Sequence, residues 1–217
     1  MSAEKIIGDF KKGNFKPVYW LEGEESYFID SIVNYAEHQI LSESDSSFNL
    51  TIFYGKDTLW PDVINACRRY PMFSERQVVI VKEAQDLSRT IDNLESYVDN
   101  PMKSTVLVFC YKYKSLDKRK KMTKSIEKVG VVFESKKLYE NQVGDWIKRV
   151  LSAKNYAIEP KANAMLVEFL GADLSKISNE LEKLQIILPK GSTITPKDIE
   201  ENIGFSKDFN NFELLNA

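Results

Sequence analysis

The sequence predicts an α/β protein in which a five-stranded, mainly parallel sheet domain is followed by a small helical domain. Three observations predict it. Short β-branched runs recur through the first two-thirds of the 217 residues, helix-length spacers separate them, and after about Tyr139 strand signals stop while helical periodicity continues. Parallel neighbours need a crossover between them, and nearly continuous apolar strands imply that both sheet faces are covered.

The strand runs, in order, are "KPVYWLEG", "FNLTIFYG", "RQVVIVKE", "STVLVFCY" and "VGVVFESK". Between the first two, "EESYFIDSIVNYAEHQIL" places Tyr27, Phe28, Ile32, Tyr35, Ala36 and Gln39–Ile40 at helical spacing, so an amphipathic helix is expected. Val63, Ile64, Cys67 and Tyr70 share a second helical stripe, which Pro71 should end at about Tyr70, because the residue before a proline disfavours helical backbone. Met72 and Phe73 then fall in a connection, and "SER" restores polarity before Val78 opens the third strand. The pair belongs to neither periodic pattern. It either closes the end of the sheet as core or is held out for a partner, and Tyr70 stays open between the same two roles.

Beyond Tyr139, "NQVGDWIKRVLSAK", "PKANAMLVEFLG" and "DLSKISNELEKLQIIL" read as three helices, punctuated by Gly171 and Pro189–Gly191, with Leu174, Ile177, Leu181 and Leu184 packing among themselves. Phe209, Phe212 and Leu215 form a last apolar stripe. It suits either a helix docked on its own protein or the start of a further domain at which the chain is cut. The expected boundaries are 1–139 for the sheet domain, 140–205 for the helical lid and 206–217 for the start of a third, helical domain.

With 30 basic and 32 acidic residues the net charge is −2, so no global field recruits nucleic acid or an anionic membrane. A local exception is "YKYKSLDKRKKMTK", residues 111–124, where Lys112, Lys114, Lys118, Arg119, Lys120, Lys121 and Lys124 face Asp117 alone. Interleaved with Tyr111 and Tyr113, these residues suit phosphate backbones, or equally a solvated helix face. Cys67 and Cys110 lack metal-ligand spacing and read as inert fillers in a reducing compartment. The start has no signal-peptide apolar region and no stretch approaches the roughly 18 to 20 apolar residues of a membrane span, so a cytoplasmic protein is expected. His38, the single histidine, falls near the end of a helix, and no nucleophile elbow occurs. Glu24–Glu25 and Glu200–Glu201 are neighbours on helix starts or surfaces rather than acid and base across a cleft. Neither metal nor cofactor is expected.

A parallel α/β domain with a helical lid suggests a P-loop ATPase of the AAA+ type, and the first strand–helix turn tests this. It reads "LEGEESYF", where a phosphate cradle would read GxxxxGK[ST]. Only Gly23 remains, and Glu24 and Glu25, placed in the first helical turn, occupy the electrostatic position that a phosphate would take. The third strand ends "VVIVKE", with Lys82 where an ATPase would carry the aspartate that helps hold magnesium and Glu83 as a solvated strand-end acid. These residues point to a binding protein.

In order and spacing, "KPVYWLEGEESYFID", "YPMFSERQVVIVKEAQDL", "TVLVFCYKYKSLDKRKK", "GADLSKISNELEKL" and "IGFSKDFNNFEL" resemble the delta subunit of the bacterial DNA polymerase III clamp loader. The resemblance implies an AAA+-like fold without a working nucleotide site, in a bacterial cytoplasmic complex tied to a DNA-directed DNA polymerase. Such a subunit has no catalytic site and no cofactor. It binds the ring-shaped sliding clamp (beta subunit) and holds one ring interface open, while the ATPase subunits tau/gamma and delta prime load primer-template DNA. The family's clamp-gripping apolar pair falls on Met72 and Phe73, within 1–139, with Pro71 and Tyr70 as its upstream neighbours. Met72 replaces the more usual leucine with a flexible apolar equivalent. Lys112 and Lys114 would be candidates to face DNA, Ser175 and Lys176 fall where such a lid often supplies an arginine to nucleotide, and 206–217 would begin a truncated collar domain. The readings to be weighed against this one are an active AAA+ ATPase and a DNA-binding module built on 111–124.

Overall fold

Strands buried on both faces send alternate side chains into two separate cores. The computed structural model, which describes residues 1–203, has this arrangement in its first compact unit, Met1–Lys137. Strands β1 (Val18–Gly23), β2 (Leu50–Tyr54), β3 (Gln77–Lys82), β4 (Thr105–Lys112) and β5 (Val131–Ser135) form one sheet in the order β2-β3-β4-β1-β5, with every pairing parallel. Val78 and Ile80 join Tyr19, Leu21, Val106 and Val108 beneath helices α1 (Ala3–Lys11) and α2 (Ser26–Gln39). Val79 and Val81 join Trp20, Leu107 and Phe109 on the opposite face, with Trp60 and Val63 of helix α4 (Trp60–Cys67). The expected AAA+-like five-stranded sheet is present.

The covering helices are set by local sequence. Helix α2 buries Ile29, Ile32, Val33 and Ala36, a stripe at spacings of three and four, while Tyr27 and Phe28 are only half-buried. A short helix α3 (Glu43–Asn49) starts at Ser42, whose hydroxyl accepts from Asp45 N at 3.1 Å, and carries acids in its first turn. Helix α4 has Pro61 in its first turn, where the missing N–H costs nothing. A 3-10 segment, Ala84–Leu94, and helices α5 (Glu95–Val98) and α6 (Lys121–Val129) complete the unit.

Helix α4 ends at Cys67, not near Tyr70. Its last carbonyls find partners on the sheet: Gln77 Nε2 lies 2.6 Å from Arg69 O and 3.1 Å from Ala66 O, and Thr105 Oγ1 donates to Cys67 O at 2.8 Å. Terminating a helix requires acceptors to be satisfied, and two buried polar side chains do this before Pro71 is reached. Tyr70 therefore leaves the core-facing stripe and is 80% exposed.

The second unit runs from Leu138. Helices α7 (Glu140–Ala153), α8 (Pro160–Leu170) and α9 (Leu174–Ile187) match the three expected ones, and Leu174, Ile177, Leu181 and Leu184 are buried. The expectation that strands stop at Tyr139 is corrected by β6 (Ala157–Ile158) and β7 (Thr193–Ile194), a two-residue parallel pair, followed by helix α10 (Pro196–Asn202). Such short strands lack a periodic signature, and their pairing depends on chain segments brought together by α8 and α9. Thr195 and Asp198 cap α10 reciprocally. Phe209, Phe212 and Leu215 lie outside the described residues.

Candidate partner-binding surface

The connection from α4 to β3 carries large apolar groups into solvent. Met72 is 52% exposed and Phe73 95%, which removes the alternative that they close the sheet as core. The backbone beneath them is held firmly. Met72 N donates to Asn49 Oδ1 at 2.7 Å, and Asn49 Nδ2 returns a bond to Met72 O at 2.9 Å. Phe73 follows with φ 54, a left-handed conformation that a non-glycine residue adopts at a cost of roughly 1–2 kcal/mol. This geometry turns the Phe73 side chain away from the body. An open groove of about 700 Å³, bordered by Ile40, Leu41, Asp45, Phe73, Ser74, Glu75 and Arg76, runs beside it. Arg76 stacks its guanidinium 4.3 Å from the centre of the Phe15 ring, which anchors the far end of the connection.

The turn from β1 to α2 has the opposite character. Gly23 has φ 119, and a Cβ there would lie 2.1 Å from Ser135 O, so only glycine fits. Glu24 N and Glu25 N both donate to Ser135 O, at 2.9 and 3.3 Å, and Ser135 Oγ donates to Glu25 O at 2.6 Å. Glu25 stands at the N-cap of α2 rather than in its first turn, accepting from Tyr27 N at 3.1 Å. The backbone donors that could cradle a phosphate are thus spent on β5, and a carboxylate caps the helix that would face one.

Lysines at the strand ends are spent as well. Lys82 Nζ lies 2.7 Å from Glu37 Oε2, and Lys112 Nζ 2.6 Å from Asp30 Oδ1. Both acids belong to α2, so two ion pairs join this helix to the ends of β3 and β4 around a polar cavity of about 270 Å³. Burial pulls the Lys82 ammonium down, but its hydrogen bond and charge contact with Glu37 outweigh this and hold it above its usual value. Glu83 is exposed, as expected, with φ 55.

The basic segment is less basic in three dimensions than along the chain. Lys118 meets Glu134, Arg119 meets Asp117, Lys120 meets Asp92, and Lys121 meets Glu95 and Asp99. Lys114 Nζ donates to Gln85 O and Ser88 Oγ. Two of the candidate cations, Lys112 and Lys114, are therefore tied to their own fold. The Arg119 guanidinium, bonded to both oxygens of Asp117, lowers that carboxyl to about 2. Apart from Asp117, these acids come from the segment 92–99 and from β5, which a count confined to residues 111–124 does not reach.

Sequence reasoning also missed Glu22. Its buried carboxyl accepts from Trp20 Nε1 at 3.0 Å and Leu116 N at 2.8 Å, pinning the exit of β4, and burial raises its proton affinity despite those bonds. Cys67 and Cys110 are buried, and burial pushes both thiols up to about 12. His38 is exposed near the end of α2. Among the described residues no group of three or more His, Cys, Asp or Glu is placed to hold a metal ion, and no helix is long and apolar enough to cross a membrane.

Residues 19–136 match the family model described as DNA polymerase III, delta subunit. The chain is 29% identical over 215 residues to the DNA polymerase III subunit delta of Bacillus subtilis, a match that spans 95% of this chain and 62% of that one. The solved structure of the Bacillus subtilis DNA clamp loader delta protein superposes with a TM-score of 0.81 at 29% identity, over 99% of this chain and 66% of that one. The chain thus spans somewhat less than two-thirds of the length of each of these relatives.

Proposed function

The chain belongs to the DNA polymerase III delta-subunit family, and from this premise we propose that it grips the sliding clamp through Met72 and Phe73 and holds one ring interface open without hydrolysing ATP. The observation that carries the proposal is the exposed apolar pair on a hydrogen-bonded loop. Fully burying a methionine and a phenylalanine against a partner is worth roughly 1.5–3 kcal/mol each. A loop already ordered before contact loses little further entropy on binding. The Met72 thioether adapts to its pocket, while Phe73, aimed by its left-handed backbone, inserts in one direction. Tyr70 and Pro71 border the pair.

Opening a ring by binding alone requires that the open form be bound more tightly than the closed one, since a ligand indifferent to the two states shifts nothing. The sheet unit supplies the rigid body for this, with its nucleotide-like turn closed by Ser135 and its strand-end lysines paired to α2. Energy from ATP then enters through the partner subunits tau/gamma and delta prime, which thread primer-template DNA through the ring. The ion-paired state of Lys112 and the hydrogen bonds of Lys114 favour a structural role for these residues over DNA contact.

The test is equilibrium binding of purified clamp to the parent and to the Met72→Ala, Phe73→Ala variant. The variant should lose at least about 100-fold in affinity, with its fold unchanged. Equal affinity would sink the assignment of the grip. Incubation with ATP and magnesium should give neither saturable binding nor phosphate release, and turnover of ATP by the chain alone would overturn the non-hydrolysing part. Binding of DNA by the chain alone with a steep salt dependence would instead favour a DNA-binding module on 111–124.

A further inference from the structure

Resting on the clamp-binding reading above, we propose that Asn49 is the positioning residue of the grip, setting the affinity for the clamp without touching it. Asn49 is the last residue of α3, is 2% exposed, and lies 23 residues before Met72. Its amide engages both backbone polar groups of Met72 and also donates to Asp45 O at 3.1 Å. The Met72 N–H requires the amide oxygen and the carbonyls of Met72 and Asp45 require its nitrogen, so the three bonds agree on one orientation of the amide. A single side chain therefore does for Met72 what a neighbouring strand would do, and holds the residue next to a left-handed Phe73. Without it the connection between Arg69 and Arg76 would have many backbone states, and the competent one would have to be selected at each encounter.

Neither alanine nor aspartate can substitute. Alanine leaves Met72 N and O to water, and aspartate retains the acceptor but sets a negative charge against the carbonyls of Met72 and Asp45. The experiment uses the whole 217-residue chain and purified sliding clamp. Asn49→Ala and Asn49→Asp should each weaken clamp binding roughly tenfold, the worth of one or two hydrogen bonds. In the Met72→Ala, Phe73→Ala background the same changes should have no further effect, because Asn49 acts only through that pair. Hydrogen exchange at the Met72 amide should accelerate at least about tenfold in both variants while the β3 and β4 amides stay protected. Equal losses in the two backgrounds, or unchanged exchange at Met72, overturn the proposal. If the parent chain fails to bind the clamp, the functional reading falls, and exchange at Met72 alone decides whether Asn49 holds the loop.

Discussion

Two connections within one unit, the β1–α2 turn and the α4–β3 loop, show what a fold does with its exposed corners. At Gly23–Glu25 every bond described turns inward: two amides to Ser135 O, one hydroxyl back to Glu25 O and one carboxylate to the helix start. At Arg69–Arg76 the backbone is held at Arg69 by Gln77 and at Met72 by Asn49, yet the side chains of Tyr70, Met72 and Phe73 turn outward. Order at the first corner removes a binding site. On the proposed reading, order at the second prepares one, because the cost of fixing the backbone has been met before any partner arrives.

The contrast is broken most severely at Gly23. Gly23→Ala forces a methyl against Ser135 O and should destabilise the chain by about 3 kcal/mol or more, measured by urea unfolding; a loss below about 1 kcal/mol would mean that β5 is free to move. Phe73→Gly should behave oppositely. Relief of the left-handed backbone leaves stability unchanged or raises it by up to about 1 kcal/mol, while clamp affinity falls at least tenfold by the same area argument. A protein that unfolds more easily on this change would place Phe73 in the core after all.

The thiols should resist modification in the folded chain at pH 8, since burial has raised both to about 12. Titration with a thiol reagent, with and without denaturant, checks this, and rapid reaction of either cysteine in the native state would contradict the packing around β4 or α4. Glu22 gives the smallest effect, visible only as a pH trend. Its folded proton affinity is raised, so its stabilising contribution is complete below the ordinary carboxylate value and is lost as pH rises through the raised one. Stability of Glu22→Gln relative to the parent should therefore increase from acid to neutral pH, and a flat or falling difference would argue against a desolvated carboxyl.

The five strands and helix α2 were legible because apolar spacing is a local property, readable over a window of ten residues. Met72 and Phe73 were legible for the converse reason, as apolar residues outside any period beside Pro71. The end of α4 was misjudged because it depends on Gln77 and Thr105, which meet its carbonyls only after the sheet has formed. Tyr70 was carried out of the core by the same event.

What the sequence determined by itself is the order of elements, the lost phosphate motif and the presence of two unclaimed apolar residues, since each is encoded in neighbouring positions. Tertiary structure alone decided which polar groups meet: Asn49 with Met72, Glu22 with Leu116, Ser135 with Gly23–Glu25, and acids from 92–99 with the basic run. A hydrogen bond or ion pair joins groups a few ångströms apart in space whatever their separation along the chain, so partners distant in sequence leave no period to read.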